Sequence, residues 1–445
     1  MKEDTLVQEL VRSAVDAVRP AFFIPRTISV DQNRMMIRGR KAAGYSELQE
    51  IGLDAFEHIF VVSIGKAAVG MAEAVQDLLN ARITEGVVLT KHIPADHRLG
   101  DRFRIICGGH PVPTEESILG AETILKMLEK AGSRDLVLFL ISGGGSALMV
   151  LPFDGISLGM YRDFCSGILG CGADIGEFNT IRKHLDKVKG GRLAQYAAPA
   201  RQITVILSDV VGSPKEVIAS GPTVPDPSTY QDALDILDRY SDKARFPSEI
   251  REILMQGVSG KIPETPGPDD EIFTNSSVFL AADNKAAADA AAKRAAELSI
   301  PAEVIAENYT GEASLRGASF PAIFDKMEKP GVCILGGETT VSLKGNGLGG
   351  RNLEMALASV RPMSAHPGCT MVTLATDGED GPTDAAGAIV TSETLSAALS
   401  LGCDPDDYLR HNDSYHFFEK VGGLIKTGST GTNVNDLTFL IRSDQ

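Results

Sequence analysis

The sequence lacks the features that mark a membrane-spanning, nucleic-acid-binding or disulfide-built protein. No run of eighteen apolar residues occurs, so no segment has the length of a membrane-spanning helix. Positive charge is in deficit, with 43 Lys and Arg against 59 Asp and Glu and a formal net charge of −16. That balance argues against the basic face that nucleic acid or an anionic membrane would need. The six cysteines, Cys107, Cys165, Cys171, Cys333, Cys369 and Cys403, show no C-x-x-C spacing, which speaks against a zinc site or a disulfide framework and for a reducing, cytoplasmic setting. The opening MKEDTLVQELVRSAVDAVRP has neither the apolar core of a secretory signal nor the acid-poor composition of a transit peptide. Its periodicity predicts a surface helix ended by Pro20.

What is present is an α/β rhythm. At 445 residues the chain exceeds one ordinary core, which implies two domains or three. Short apolar runs alternate with helical patterns at 58–65, 85–90, 103–109, 135–142 and 202–209, the pattern of a doubly wound parallel sheet. Ligands of such sheets sit at the carboxyl ends of the strands. A Pro-rich stretch over 222–275 reads as a boundary, so the expected division is an N-terminal Rossmann-like α/β domain of residues 1–240 and a C-terminal α/β domain of 241–445. The second half opens with SSVFLAAD (276–283) and an Ala-rich helix over 284–299. Its later strands, including TVSLK, are short and alternating, which predicts a mixed sheet.

The stretch GNGLGGRN (345–352) matches G-x-G-x-x-G through Gly345, Gly347 and Gly350. A dinucleotide fingerprint also needs an apolar strand running into the loop and an acidic residue about 20 positions on. TTVSLK before it alternates, and no such acid stands at a clear strand end. A dinucleotide therefore fits poorly, while Arg351 directly after the glycines could fork two oxygens of a phosphate or carboxylate.

Other candidates lie at predicted strand ends. Ser142, Gly143, Gly144, Gly145 and Ser146 form a Gly-rich turn whose backbone can approach an anion. Lys66 follows a strand without completing a P-loop, because Phe60 and Ala67 break that pattern. Asp209 could bind Mg²⁺ or accept a hydroxyl proton, or simply cap a helix. Ser220, Gly221 and Thr223 could contact phosphate. The helical stretch NTIRKHLDKVKGGRLAQ (179–195) concentrates Arg182, Lys183, Lys187, Lys189 and Arg192, with Lys189 before Gly190 where a ligand could come close; a solvated basic face is the alternative. Glu338, Gly347, Gly349 and Gly350 border the second Gly-rich loop. Asp377, Glu379, Asp380 and Asp384 could hold a hard cation, although no EF-hand loop is present. His110 reads as a turn residue before Pro111.

In their order along the chain, SIGKAA, GGHPVPTEES, LISGGGSAL, VKGGRLA, LSDVVGSPKEVIASGPTVPDPST, GGETTV, GLGGRNLE, ATDGEDGPTDAAG and TGSTGTNVNDL resemble the glycerate kinase family with a C-terminal MOFRL domain. The resemblance implies two α/β domains with the active site in a cleft between them, and a MOFRL region at about 330–440. It implies phosphorylation of D-glycerate with ATP and Mg²⁺, commonly at the 2-hydroxyl; the oligomeric state, monomer or homodimer, is left open by the sequence. It also implies Lys66, Asp209 and Arg351 as active-site residues; the candidate metal ligands Asp209, Asp377 and Asp384 rest on the residues themselves. Some relatives carry a hydroxypyruvate reductase label, so an NAD(P)-dependent reductase and 3-hydroxyl regiochemistry are the alternatives.

Overall fold

The apolar runs of the first half pair side by side because they are buried on both faces, which leaves no alternation for a wet side. The computed structural model describes residues 3–41, 44–210 and 212–443. Its strands are β1 (Ile28–Asp31), β2 (Arg34–Lys41), β3 (Gly44–Gly52), β4 (His58–Ile64), β5 (Glu85–Thr90), β6 (Phe103–Cys107), β7 (Asp135–Ile141), β8 (Arg201–Leu207), β9 (Ser276–Ala282), β10 (Ala302–Tyr309), β11 (Gly331–Gly337), β12 (Cys369–Ala375), β13 (Gly387–Thr391), β14 (Leu424–Ile425) and β15 (Asp436–Arg442). The chain divides into a first unit of residues 23–281 and a second of residues 1–22 and 282–445.

In the first unit six strands lie in the order β6-β5-β4-β7-β8-β9. The pairs from β6 through β8 are parallel. The chain moves outward from β4 to β6 and then returns to place β7 on the other side of β4. That reversal is a topological switch point, where neighbouring loops diverge and leave room for a ligand. Phe60, Val62, Leu89, Val137, Phe139 and Ile141 from the strands pack with Ile124 and Leu128 of the helix Glu115–Leu128. The antiparallel meander β1-β2-β3 precedes this sheet and has no counterpart in the sequence reading.

The second unit has the mixed sheet expected of it, in the order β10-β11-β15-β12-β13-β14. Only β10 and β11 are parallel; the other pairs are antiparallel. Leu353, Leu357 and Val360 of the helix Arg351–Met363 pack with Met371, Phe417, Phe418 and Leu440. The first helix, Glu3–Val18, belongs here: it buries Leu6, Leu10, Ala14 and Val18, and its Glu9 pairs with Arg294 of the helix Asn284–Glu297 at 3.1 Å.

Three expectations differ from the structure. The division falls after Ala281 rather than at 240/241, because SSVFLAAD is β9, bonded to β8 in the first sheet. Turn-rich composition marks an exposed connection, not the end of a core: Ile250, Ile253 and Leu254 pack with Tyr161, Phe164 and Ile236 in one cluster. The stretch TTVSLK forms no strand beyond a single bridge from Thr340 to Glu312. Side chains take its N–H groups instead, with Glu312 accepting from Ser342 at 3.1 Å and Asn412 from Lys344 at 2.7 Å. Finally, residues 179–195 are not one helix. One helix, Ile175–His184, ends before Asp186, which bridges to Pro152, and Gly190 and Gly191, with left-handed φ of 56° and 80°, form the turn that leads into the next, Arg192–Ala197.

Candidate functional site

In the first unit the predicted residues gather at the carboxyl ends of the parallel strands. The loops leaving β4 and β7, on either side of the switch point, are tied together by their backbones. The Lys66 N–H donates to the Gly143 carbonyl at 2.9 Å, and the Ser142 N–H donates to the Ile64 carbonyl at 2.9 Å. The Ser142 hydroxyl also accepts from the Ala67 N–H at 3.1 Å.

Each of the three glycines between Ser142 and Ser146 faces a different chemical neighbour. A Cβ on Gly143 would collide with the Asp209 carboxylate. On Gly144, whose φ is 85°, it would lie 3.0 Å from the His110 ring and 3.2 Å from the Lys66 side chain; on Gly145 it would lie 2.7 Å from Ala219. Only glycines let Lys66, His110 and Asp209 close on one turn.

Beyond the glycines, the Ser146 and Ser220 hydroxyls meet at 2.8 Å. Arg182 donates through Nη2 to Ser220 at 2.9 Å and to Asn179 at 2.5 Å. Ala219, Ser220 and Gly221 have consecutive φ values of 53°, 63° and 59°. Two non-glycine residues there carry backbone strain of about 1–3 kcal/mol each, offset by hydrogen bonds from the Gly190 N–H to the Ser220 carbonyl and from the Gly191 N–H to the Gly221 carbonyl. Gly190 and Gly221 thus hold two loops together. Thr223 is buried nearby, and its hydroxyl has no partner among the described residues.

Lys189 is turned the other way. Its ammonium is fully buried, donating to the Met149 carbonyl and lying 3.4 Å from Asp186. Burial lowers its pKa while Asp186 works against that. Lys183 is likewise buried against Asp226 at 3.1 Å. The basic segment is therefore an inward scaffold rather than a solvated face.

In the second unit Arg351, the first residue of its helix, grips two carboxylates. Nε and Nη2 donate to the two oxygens of Asp436 at 2.5 and 3.1 Å, and Nη1 donates to Glu338 at 2.6 Å. Asp436 opens β15 beside Gly337, the last residue of β11, which brings both acids to one strand end. Burial opposes the Arg351 charge, but Asp436 and Glu338 outweigh it and raise its pKa. Burial pushes the Asp436 carboxyl up to about 7, with Arg351 pulling it down. Asp436 was not singled out from the sequence; its place in NVNDL after a Gly/Thr turn carried no sign of the pairing.

The loop at 345–350 is not a dinucleotide cradle. β11 ends at Gly337, well before Gly345, and the loop lies on residues 411–414 instead. The Gly347 N–H donates to the His411 carbonyl at 2.9 Å, Asn412 accepts from Gly345 at 3.0 Å and Asp413 accepts from Leu348 at 2.9 Å. Gly345 and Gly347 abut His411 and Asp413, Gly349 abuts Ser414, and Gly350 abuts Asp380. Asp380 accepts from the N–H groups of Asn352 at 3.0 Å and Leu353 at 2.7 Å. A side-chain carboxylate thus already caps the helix that would have received a pyrophosphate.

Asp377 and Asp384 do not converge. Asp384 accepts from Tyr415 at 2.7 Å and from Lys426 at 2.9 Å, and Asp377 accepts from the Glu379 N–H at 3.2 Å. Among the described residues the one group with metal-ligand convergence is Glu57, His58 and Asp135. It stands where β4 and β7 begin, at the opposite end of the sheet. Glu57 pairs there with Arg134 at 2.7 Å, and Asp135 accepts from the Gly132 N–H at 2.8 Å.

Two family models match the chain: a domain of unknown function (DUF4147) over residues 6–255 and the MOFRL family over residues 331–436. The D-glycerate 2-kinase of Thermotoga maritima is 38% identical over 97% of this chain and 96% of its own length. The glycerate 2-kinase of Pyrococcus horikoshii is 38% identical with the same coverage. A crystal structure of a glycerate kinase from Thermotoga maritima matches with a TM-score of 0.84 at 36% identity, covering 98% of this chain and 99% of that one.

Proposed function

The chain belongs to the family that joins the DUF4147 and MOFRL domains and includes glycerate kinases, and from that membership we propose that it transfers the γ-phosphoryl group of ATP to the 2-hydroxyl of D-glycerate. The observation that carries this reading is the interlocked pair of strand ends at the switch point, where Lys66 and Asp209 both abut the glycine turn 143–145. A phosphoryl transfer asks the protein for positioning and charge neutralisation more than for covalent chemistry.

In this mechanism the substrate hydroxyl oxygen attacks the γ-phosphorus, the β–γ bridging bond breaks, and 2-phosphoglycerate and ADP leave. Asp209 orients the hydroxyl and accepts its proton as the new bond forms. Lys66 neutralises the transferring group. No set of carboxylates converges near these loops among the described residues. That suits Mg²⁺, which is commonly bound through one or two carboxylates and the phosphate oxygens of its substrate. Asp209 is the carboxylate that would hold it, and the ion would supply neutralisation of the phosphate charge. In the second unit we assign Arg351 to an anionic group of substrate or transition state, supported by its place at the start of its helix and by N–H groups left over after Asp436 and Glu338. The six cysteines are all free, which supports a cytoplasmic setting.

Phosphorus NMR of the purified protein with ATP, Mg²⁺ and D-glycerate tests the reading. A monoester resonance of 2-phosphoglycerate is expected. A 3-phosphoglycerate signal would overturn the position, and no new phosphoester would overturn the kinase.

A further inference from the structure

His110 stands two glycines beyond the end of β6 and looks from the sequence like a turn residue. The structure gives its ring no structural partner: neither nitrogen hydrogen-bonds to any of the described residues. The half-buried ring instead lies against Gly144 beside the Lys66 side chain. Lys91, which follows β5, also acts on it. Neither the Lys66 nor the Lys91 ammonium makes a hydrogen bond or ion pair with the described residues. In a chain of net charge −16, two ammonium groups and an imidazole, all without a hydrogen-bond or ion-pair partner among the described residues, stand at three adjacent strand ends.

We propose that Lys66, Lys91 and His110 form the subsite for the terminal phosphates of the nucleotide. This deepens the kinase reading and rests on it for the source of the phosphate. Two ammonium groups supply charge for a polyanion, and the imidazole supplies a directed N–H to a phosphate oxygen. The Lys66 and Gly144 positions place the subsite beside the turn that also faces Asp209.

The site carries its own reporter. Burial first, then the positive charges of Lys66 and Lys91, hold the His110 pKa down to about 4. These lysines are the charged groups acting on the ring, and no carboxylate offsets them. A bound phosphate chain cancels both charges and accepts the ring N–H, so it must move the imidazole pKa upward.

The experiment is a pH titration of the histidine ring nitrogens by ¹H–¹⁵N NMR, with His110→Gln used to assign the resonance. It is run on the full chain alone, with ADP, with inorganic tripolyphosphate and with D-glycerate. ADP and tripolyphosphate are each expected to bring His110 from about 4 toward the ordinary histidine value of 6.5, and Lys91→Met to weaken ADP binding roughly tenfold, as for loss of one charge-assisted contact. A response to D-glycerate with none to ADP would overturn the phosphate assignment in favour of the substrate carboxylate. No response to any of the three would overturn the subsite altogether. Formation of phosphoglycerate with a silent His110 would sink the subsite and leave the kinase standing; a responsive His110 without turnover would do the reverse.

Discussion

The N–H of Lys66 donates to the carbonyl of Gly143 at 2.9 Å, joining the ends of two neighbouring parallel strands. Through that bond a lysine that sequence places at a helix start becomes part of the glycine turn facing Asp209 and His110.

Lys66→Ala should lower kcat by a factor on the order of 10²–10³, the usual loss for one electrostatic donor acting in the transition state. Its ammonium has no partner among the described residues, so the melting temperature should stay nearly unchanged. A coupled ADP-release assay beside a thermal melt checks both. Activity within a few-fold of the parent would remove Lys66 from the mechanism.

Gly144→Ala adds a Cβ at a φ of 85°, 3.0 Å from His110. Backbone strain of about 1–2 kcal/mol and displacement of the ring and of Lys66 should reduce both stability and activity. Urea denaturation with steady-state kinetics tests this. Full activity with an unaltered midpoint would show that the turn tolerates a side chain there.

Arg351→Ala leaves the Asp436 carboxylate, which is 1% exposed, without its guanidinium. Breaking such a buried pair costs about 3 kcal/mol, so this variant should lose stability as well as turnover. Asp436→Asn in the same background should recover part of the stability and none of the turnover. Recovery of both would make Arg351 purely structural.

Burial raises the Glu354 carboxyl to about 7, more than its hydrogen bond from Asn412 lowers it. The folded form therefore holds a proton that the unfolded chain, titrating near 4.5, has released. This contribution is fully present below about 4.5, declines as pH rises toward about 7, and is gone above that, a change on the order of 3 kcal/mol. Denaturation at pH 5 and pH 8 should show a smaller pH difference in Glu354→Gln than in the parent. Equal pH dependence in the two would contradict the assignment.

NADH should not bind, because Asn412, Asp413 and His411 already occupy the N–H groups of the 344–348 loop. Titration by NADH fluorescence, with hydroxypyruvate present and absent, should show neither enhancement nor consumption. A saturable signal would restore the reductase reading.

The sequence by itself determined the strands of the parallel sheet and the residues at their ends, because fully buried strands must be continuously apolar and their loops must be turn-forming. Lys66, the glycine turn and Asp209 were legible for that reason. It also carried the family, through motifs whose order along the chain is specific even where each is weak. Tertiary structure decided the rest. Whether β9 joins the first sheet, whether Lys189 faces ligand or core, and whether GNGLGG cradles a dinucleotide or lies on residues 411–414 all depend on partners far away in sequence. Arg351 and Asp436 stand 85 residues apart, and local periodicity holds no record of such a pairing. His110 shows the same limit: its neighbours in the chain suggest a turn, while Lys66 and Lys91, just past the ends of β4 and β5, act on it with positive charges that have no partner among the described residues.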